Sequence, residues 1–292
     1  MAYVFSYFTG NGEDGLHLAG SRDGLVWKAL RGGRSFLAPT VGGKLMRDPC
    51  VCPGPDGTFH LVHTTGWWDR GIAVAHSPDL IDWTRATWVP VMEHEPGALN
   101  AWAPECTWDP ARRRFVVYWS STIPGRFPET DSTGDPAEGG KRCNHRTYRT
   151  TTTDFERFEP TRLHYDGGFN GIDATLFRDG RRWRMVVKDE TKEPTPRKNL
   201  RMVEGGSAEG PWGSAGPAFT PDWVEGPSVL KVGRDWLIYF DAYTRGRYEG
   251  VRTRDFRHFE SITERLEFPA GARHGTAFPV SERILTRLEA LS

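Results

Sequence analysis

The sequence predicts an all-β fold, a five-bladed β-propeller with four antiparallel strands in each blade. Three observations lead to this prediction: a degenerate repeat of about 50 residues, one acid or histidine at the start of a strand-like run in each repeat, and two chain ends that are each incomplete alone. Four-stranded repeats at this spacing are typical of propellers. Helix is scarce, because only residues 281–289 have helical apolar spacing, and a final strand is the alternative there.

The repeat is carried by short segments in which a polar turn leads into an aromatic residue. These segments lie at residues 21–27, 77–83, 152–158, 207–212 and 253–259. Their acids, at positions 23, 79, 154, 209 and 255, are 56, 75, 55 and 46 residues apart. The longest interval contains a polar insert rich in Gly and Pro at residues 124–146, which is predicted to be a loop.

The two ends of the chain complete each other. The first repeat segment precedes any acidic strand start, and the last inner strand, near residues 274–280, is followed by only a short charged tail. We therefore expect residues 3–30 to supply the outer strands of the last blade, which leaves no long unpaired sheet edge. One domain over residues 1–292 is predicted, with blades at about 44–90, 100–160, 171–217, 224–262, and 272–292 together with 3–30.

The charge composition argues against two classes of binding partner, nucleic acids and anionic membranes. Lys plus Arg and Asp plus Glu both total 38, so the formal net charge is zero. Nucleic acids and anionic membranes select proteins with a basic excess, and neither is expected as a partner. No apolar stretch approaches the ~20 residues that span a bilayer. Residues 1–7 lack the basic and apolar regions of a secretory signal, so a cytoplasmic location is expected for the chain as given.

Acidic side chains begin the predicted inner strands. Asp48, Asp173 and Glu225 each open a strand-like apolar run, and Glu105 and His274 take the corresponding place in the other two repeats. Because the inner strands of a propeller run beside its channel, residues at their starts cluster at one mouth. The order along the chain therefore predicts a pocket with one acid or histidine from each blade. Two opposed carboxyl groups are the chemistry that glycoside hydrolysis requires.

Five short motifs carry a resemblance to a known family. They are Arg47-Asp48-Pro49, Trp102-Ala103-Pro104-Glu105, Ile172-Asp173-Ala174, Glu225-Gly226-Pro227-Ser228 and Arg273-His274-Gly275-Thr276. In this order, and over nearly the whole chain, they resemble glycoside hydrolase family 43, within the five-bladed β-propeller glycosidases. The resemblance implies a catalytic module alone, acting on an oligo- or polysaccharide substrate.

The same resemblance implies an inverting hydrolase with divided roles. Asp48 would be the general base that activates water, Glu225 the general acid, and Asp173 the residue that tunes the pKa of the acid and orients it. An acid that stays protonated near neutral pH needs burial or a nearby negative charge, which Asp173 can supply. Inversion needs room for a water molecule, so the Asp48 and Glu225 carboxyls are expected about 6.5–9.5 Å apart. Glu105 is a further carboxylate that competes for the role of base.

Sugar contacts are predicted for residues near the starts and ends of the strands. They are Arg47, Trp67, Trp102, Glu105, Phe169, Asn170, Lys188 and His274. No metal ligand is assigned, and no cofactor is expected to be required. His274 resembles the channel histidine of the family, which often faces a cation or a water cluster, so a structural calcium ion reached through water is left open. Calcium takes six to eight oxygen ligands, and the sequence does not show their source.

The resemblance favours an exo-acting enzyme on terminal furanose or pentose units of plant-type saccharides, arabinofuranosidase- or xylosidase-like. Three alternatives stay open. The first is a galactosidase or galactanase activity of the same family. The second is a retaining fructan- or sucrose-active propeller, whose Glu-Cys context Pro104-Glu105-Cys106 resembles, although one blade before Asp173. The third is a non-catalytic glycan-binding propeller, which the presence of all three acids opposes.

Overall fold

The computed structural model describes residues 1–132, 134 and 139–291. Its strands are β1 (Ala2–Phe8), β2 (His17–Ser21), β3 (Lys28–Ala29), β4 (Arg47–Pro53), β5 (Phe59–Thr64), β6 (Ile72–Ser77), β7 (Thr87–Val89), β8 (Trp102–Asp109), β9 (Arg114–Thr122), β10 (His145–Thr152), β11 (Arg162–Tyr165), β12 (Gly171–Asp179), β13 (Arg182–Asp189), β14 (Asn199–Gly205), β15 (Glu225–Val232), β16 (Asp235–Ala242), β17 (Arg247–Thr253), β18 (Glu260–Ser261) and β19 (Arg273–Val280). Short 3-10 helices lie at Arg31–Gly33, Pro128–Thr130 and Thr263–Arg265, and α1 spans Glu282–Glu289. In this described part of the chain, no helix has the length and apolar character needed to cross a membrane.

The strands form five antiparallel sheets, and the prediction of a five-bladed propeller is confirmed. The sheet orders are β19-β1-β2-β3, β4-β5-β6-β7, β8-β9-β10-β11, β12-β13-β14 and β15-β16-β17-β18. The fourth of these has three regular strands, and isolated bridges at Trp212 and Ala218 continue its outer edge. Residues 206–217 are rich in Gly and Pro, which weaken a strand or remove its ladder donors, and this explains the irregular edge.

The ring closes where the two ends of the chain meet. β1 pairs with β19 on one side, with Val4 opposite Phe278, and with β2 on the other. The predicted closure of the last blade by N-terminal strands is therefore confirmed. Residues 281–289 are a helix rather than a final strand: the Ser281 side chain caps it by accepting from the Ile284 amide, and Leu285 is fully buried in the core.

The repeated turn acids have a structural role. In the first repeat the Asp23 carboxylate accepts from the backbone amides of Leu25 and Val26, and the Ser21 hydroxyl accepts from Gly24. The carboxylates of Asp79, Asp154 and Asp255 likewise accept hydrogen bonds from the backbone amides two and three residues further along the chain. Each turn follows the third strand of a blade, so it lies at the end opposite to the inner-strand starts. These acids fold the blades and do not reach the channel mouth.

Every inner strand begins with the same bulge. In β12, Ile172 pairs with Lys188 and Thr175 pairs with Val186, so two residues of the inner strand oppose one of its neighbour. The register shifts in the same way between Arg47 and Cys50, Trp102 and Glu105, Glu225 and Ser228, and Arg273 and Thr276. The second bulge residue has a positive φ in four blades: Asp48 (51°), Ala103 (46°), Asp173 (54°) and Gly226 (57°). Bulges redirect side chains, and left-handed backbone at non-glycine residues is typical of functional sites.

Candidate active site

The bulges surround a cavity of about 410 Å³ at one mouth of the ring. All five blades contribute to its wall. The lining residues are Gly10, Asn11, Arg47, Asp48, Thr64, Trp67, Trp102, Ala103, Ile172, Asp173, Lys188, Glu190, Lys198, Glu225, Tyr243, Arg273 and His274. The volume is that of a small-ligand pocket.

The predicted acids and His274 do not occupy the same position of their inner strands. The expectation that they occupy corresponding places in the five repeats was therefore wrong. We count positions in each inner strand from the paired residue on the mouth side of the bulge, so that positions two and three are the unpaired residues. Position two is Asp48, Asp173 or His274 in three blades. Glu225 is at position one of its strand, and Glu105 is at position four of its own. A first residue lies nearer the mouth, and a fourth lies deeper along the channel. Glu105 is therefore displaced from the other acids along the inner strands.

His274 lies between two carboxylates. Its Nδ1 is 3.3 Å from Oδ1 of Asp48 and 3.8 Å from Oδ2 of Asp173. Burial alone would lower the pKa of His274, but the charges of Asp173 and Asp48 and the hydrogen bond to Asp48 raise it to about 9. Gly226 makes room for the ring, since its φ is 57° and a Cβ there would lie 2.5 Å from Cγ of His274. These contacts favour the protonated form of His274 at the centre of the site.

The two flanking carboxyls differ in proton affinity. Burial opposes ionisation of Asp48, yet the hydrogen bond and charge of His274, with Arg47 and Thr64, lower its pKa to about 2. For Asp173, burial and the charges of Glu225 and Asp48 outweigh His274 and Lys188, and its pKa rises to about 6. Asp48 is therefore ionised throughout the neutral range, as a general base requires.

Because of His274, the free energy of unfolding is expected to decrease as the pH rises through the alkaline range. Its pKa is raised from 6.5 to about 9, so its contribution is complete below pH 6.5 and is lost as pH rises through about 9. The wild-type free energy of unfolding is expected to fall across this window, and H274Q should show a shallower slope between pH 7.5 and 9 in urea unfolding. H94Q, at an exposed histidine, is the matched control. Parallel slopes for H274Q and the wild type would contradict a buried imidazolium.

Glu225 is held by two cations. Its Oε1 accepts from Nη2 of Arg273 at 2.9 Å, and its Oε2 accepts from Nζ of Lys188 at 3.2 Å. Arg273 also donates from Nε to Asp241, the residue that pairs with Glu225 across the sheet. The amide of Gly226 donates to Asp173 at 3.1 Å, which ties the two acids together through the backbone. These contacts fix the position of the Glu225 carboxylate in the cavity wall.

Lys188 is itself held from behind. It is 3% exposed, and its Nζ lies 2.6 Å from Oε2 of Glu190, which also bonds Lys198. Burial alone would lower the pKa of Lys188, but the charges of Glu190, Glu225 and Asp173 raise it well above its usual value. Lys188 therefore stays a cation beside Glu225, and the pair with Glu190 keeps its side chain aimed at the site.

Glu105 does not line the cavity. It is buried, and Tyr118 donates to its Oε2 at 2.7 Å. Burial raises the pKa of Glu105 to about 7, against the hydrogen bonds of Tyr118 and Thr175. A carboxyl that deep, with its oxygen already bonded, lacks the access to substrate water that Asp48 has.

The aromatic wall of the cavity comes from two neighbouring blades. Trp102 packs edge-on against Trp67, and its Nε1 donates to the Trp67 carbonyl at 2.6 Å. Arg47 lies over the Trp67 ring at 4.4 Å and donates to Asn11. Trp67 stays 37% exposed, so one ring face is available at the mouth. Flat apolar surfaces of this kind suit the CH faces of sugar rings.

The predicted loop at residues 124–146 covers the connection from β9 to β10, except that its last two residues already belong to β10, and it reaches the rim of the mouth. Lys141 lies over the Trp68 ring at 4.7 Å, and Trp68 packs on Trp102. Residues 133 and 135–138 of this insert lie outside the described part of the chain.

Besides Glu105, two more of the predicted sugar-binding residues, Phe169 and Asn170, do not line the cavity, and these three predictions are corrected. Phe169 is buried against Tyr165 in the core between the β8–β11 sheet and the β12–β14 sheet, with ring centroids 6.4 Å apart. The Asn170 side chain accepts from the His145 amide and donates to the Cys143 carbonyl. Their roles in the described structure are packing and a loop-to-loop bond.

Sequence reasoning missed several lining residues. Thr64 ends a second strand, pairs with Arg47, and donates to Asp48 at 2.9 Å. Lys188 occupies the same place opposite Ile172, so the residue facing the first bulge position is a signal that could have found Thr64. Arg273 stands beside His274 in its own motif. For Tyr243, Glu190 and Lys198, loop packing alone brings them to the cavity.

The calcium ion reached through water near His274 stays a prediction. Across residues 1–132, 134 and 139–291, no group of three or more His, Cys, Asp or Glu side chains is arranged to hold a metal. His274 lies between the carboxylates of Asp48 and Asp173. No chemical step is assigned to a metal here.

Comparison with known families agrees with the geometry. Residues 1–285 match the profile of the glycosyl hydrolase 43-related family, described as "Probable glycosyl hydrolase domain". The chain belongs to this family. The predicted resemblance is therefore confirmed, on a match that includes all five strand-start motifs.

Individual relatives of this family member are distant. An alpha-L-arabinofuranosidase of Bifidobacterium longum subsp. longum is 24% identical over 248 residues, which cover 73% of this chain and 23% of that protein. The chain thus spans about a quarter of the length of that relative. A xylan beta-1,4-xylosidase from Bacillus halodurans aligns with a TM-score of 0.53 at 17% identity, covering 77% of this chain and 42% of that one. An exo-beta-1,3-galactanase from Phanerochaete chrysosporium aligns with a TM-score of 0.55 at 9% identity, covering 79% and 51%. These structural likenesses show the fold alone.

Proposed function

We propose that the chain is an inverting, exo-acting glycoside hydrolase that removes terminal furanose or pentose units from plant-type oligo- or polysaccharides, with arabinofuranosidase- or xylosidase-like specificity. The observation that carries this proposal is that Asp48, Asp173 and Glu225 line one cavity on three blades. The membership of a glycosyl hydrolase family supports the reaction class.

The proposed mechanism divides the carboxyls. Asp48, kept ionised by His274, takes a proton from the attacking water. In the described structure both Glu225 oxygens accept from cations, Arg273 and Lys188, which hold the side chain in place. Glu225 therefore takes up a solvent proton before each turnover and then donates that proton to the departing glycosidic oxygen. Asp173 binds the Gly226 amide and orients the acid. Asp48 is preferred to Glu105 as the base because it lines the cavity and its pKa is low.

The exo mode is supported by the shape of the cavity. His274 and Asp173 are buried at its inner end, and Glu105 lies deeper in the channel behind them. We infer that these buried side chains close the inner end of the cavity, which then accommodates a terminal unit more readily than the middle of a chain.

The first product is expected to have the inverted anomeric configuration. An α-L-arabinofuranoside should release β-L-arabinose, because water attacks from the face opposite the leaving group. Proton NMR of the product within the first minutes, before mutarotation, checks this. Retention would support the fructan-type mechanism instead.

Nitrophenyl α-L-arabinofuranoside, β-D-xyloside and β-D-galactoside test the sugar. Turnover of the galactoside alone would select the galactan-type activity, and no turnover of any would favour a non-catalytic glycan-binding propeller.

A further inference from the structure

A second cavity adjoins the active-site cavity. Its volume is about 610 Å³, and it lies between the turn at residues 243–246 and the connection at residues 262–272. We call it the side groove. Tyr243 and Arg273 line both cavities. Because β16 ends beside Glu225 and the connection leads into Arg273, both groove loops lie at the mouth where the bulges meet.

Arg273 forms the partition between the two cavities. Its Nη2 donates to Glu225 on the active-site side, and its Nε donates at 2.7 Å to Asp241, which lines the side groove. Glu225 therefore lies in the wall next to the side groove. The proposed acid must contact the departing glycosidic oxygen, so the leaving group has to extend along one flank of Glu225.

The other flank of Glu225 carries a cluster of charged side chains that also line the active-site cavity. Lys188 lies there, and behind it Glu190 and Lys198 form the buried ion-pair cluster. The side chains of these three residues are at most 10% exposed. On the Arg273 flank the side groove lies directly beyond the guanidinium, and its volume is in the range of ligand pockets.

The walls of the side groove combine aromatic and hydrogen-bonding surface. Tyr248 and Phe268 stack with centroids 4.2 Å apart, and both line the groove. Tyr248 is 6% exposed, and within the described structure its hydroxyl has no hydrogen-bond partner. Arg247 and Glu264 stand at the exposed rim. Buried polar groups are normally satisfied, so this hydroxyl, at the wall of the groove, can bond a water molecule or a ligand group there. A neutral, hydroxyl-rich ligand matches these surfaces.

We propose that the side groove binds the sugar units on the leaving-group side of the scissile bond. This inference rests on the proposed function, because it takes Glu225 as the acid. Tyr248 then donates to or accepts from a sugar hydroxyl, and the aromatic wall packs against a ring. The affinity of the protein for an oligosaccharide accordingly rises with chain length beyond the terminal unit.

Binding to the slow variant E225Q tests the groove without turnover. Calorimetry would use arabinan-, xylan- and β-1,3-galactan-derived oligosaccharides of one to four units. Y248F in this background removes only the unpartnered hydroxyl, and Y165F, at another buried Tyr with an unpartnered hydroxyl in a different blade, is the matched control. A270W places a large side chain at an exposed groove position.

The tetrasaccharide should bind more tightly than the monosaccharide to E225Q. Y248F should weaken tetrasaccharide binding about fivefold, as expected for one hydrogen bond, and A270W about tenfold or more, while Y165F should match its parent. The proposal that the side groove binds sugar units is overturned if the affinity of E225Q does not change with oligosaccharide length. It is also overturned if Y248F and Y165F bind the tetrasaccharide with equal affinity. Wild-type turnover of nitrophenyl glycosides separately decides the proposed function: length-dependent binding without turnover retains the groove and refutes hydrolysis.

Discussion

E225Q is expected to lower kcat by about 10³-fold on glycosides with poor leaving groups, since general acid catalysis contributes on the order of 10²–10⁴. Glutamine keeps the size of the side chain and an oxygen for Arg273, but it has no acidic proton. Nitrophenyl glycosides should lose about tenfold or less, because a nitrophenolate departs without protonation. Steady-state kinetics on a series of leaving groups checks this difference.

E156Q provides the matched control for this variant. Glu156 is exposed and far from the cavity lining, so its replacement should leave kcat within about twofold. An E225Q variant that loses the same activity on good and poor leaving groups would remove Glu225 from the role of acid.

D48N is expected to lower kcat by about 10³–10⁴-fold for every leaving group, because the attacking water loses its base whatever departs. Asparagine retains an oxygen that can accept from Thr64, which preserves that part of the local structure. The control is D82N, at an exposed position outside the cavity. External azide should partly restore D48N, since a small anion can replace the activated water.

E105Q distinguishes the two candidate bases. If Asp48 is the base, E105Q should retain activity within about tenfold, because Gln resembles the protonated Glu105 that a pKa of about 7 already populates. The general base is Glu105 rather than Asp48 if E105Q loses as much activity as D48N is expected to lose and azide restores E105Q but not D48N.

Repeats made the architecture predictable. Turn residues at regular spacing identified the blades, because each Asp or Ser satisfies backbone amides in the same local geometry. The incomplete first and last repeats predicted that β1 and β19 share a sheet, and they do. Local chemistry is enough for such conclusions, since a turn depends on residues that are neighbours in sequence.

The depth of each site residue was not predictable in the same way. Asp48, Glu105 and Glu225 look alike in sequence, as acids next to a Pro or Gly. The bulge at the start of each inner strand separates them. Glu225 precedes the two unpaired residues of its bulge, Asp48 is one of them, and Glu105 follows them, so the three carboxyls lie at different depths along the channel. A one-residue difference in register changes which way a strand side chain points.

The sequence by itself determined the five-bladed ring, its closure, the family, and the acids at the starts of the inner strands. Only the tertiary structure decided that His274 lies between Asp48 and Asp173, that Lys188 and Arg273 hold Glu225, and that Glu105 lies outside the cavity lining. The physical reason is that charge states and cavity walls depend on burial and on contacts between blades far apart in the chain, whereas the repeat and its turns depend on local interactions.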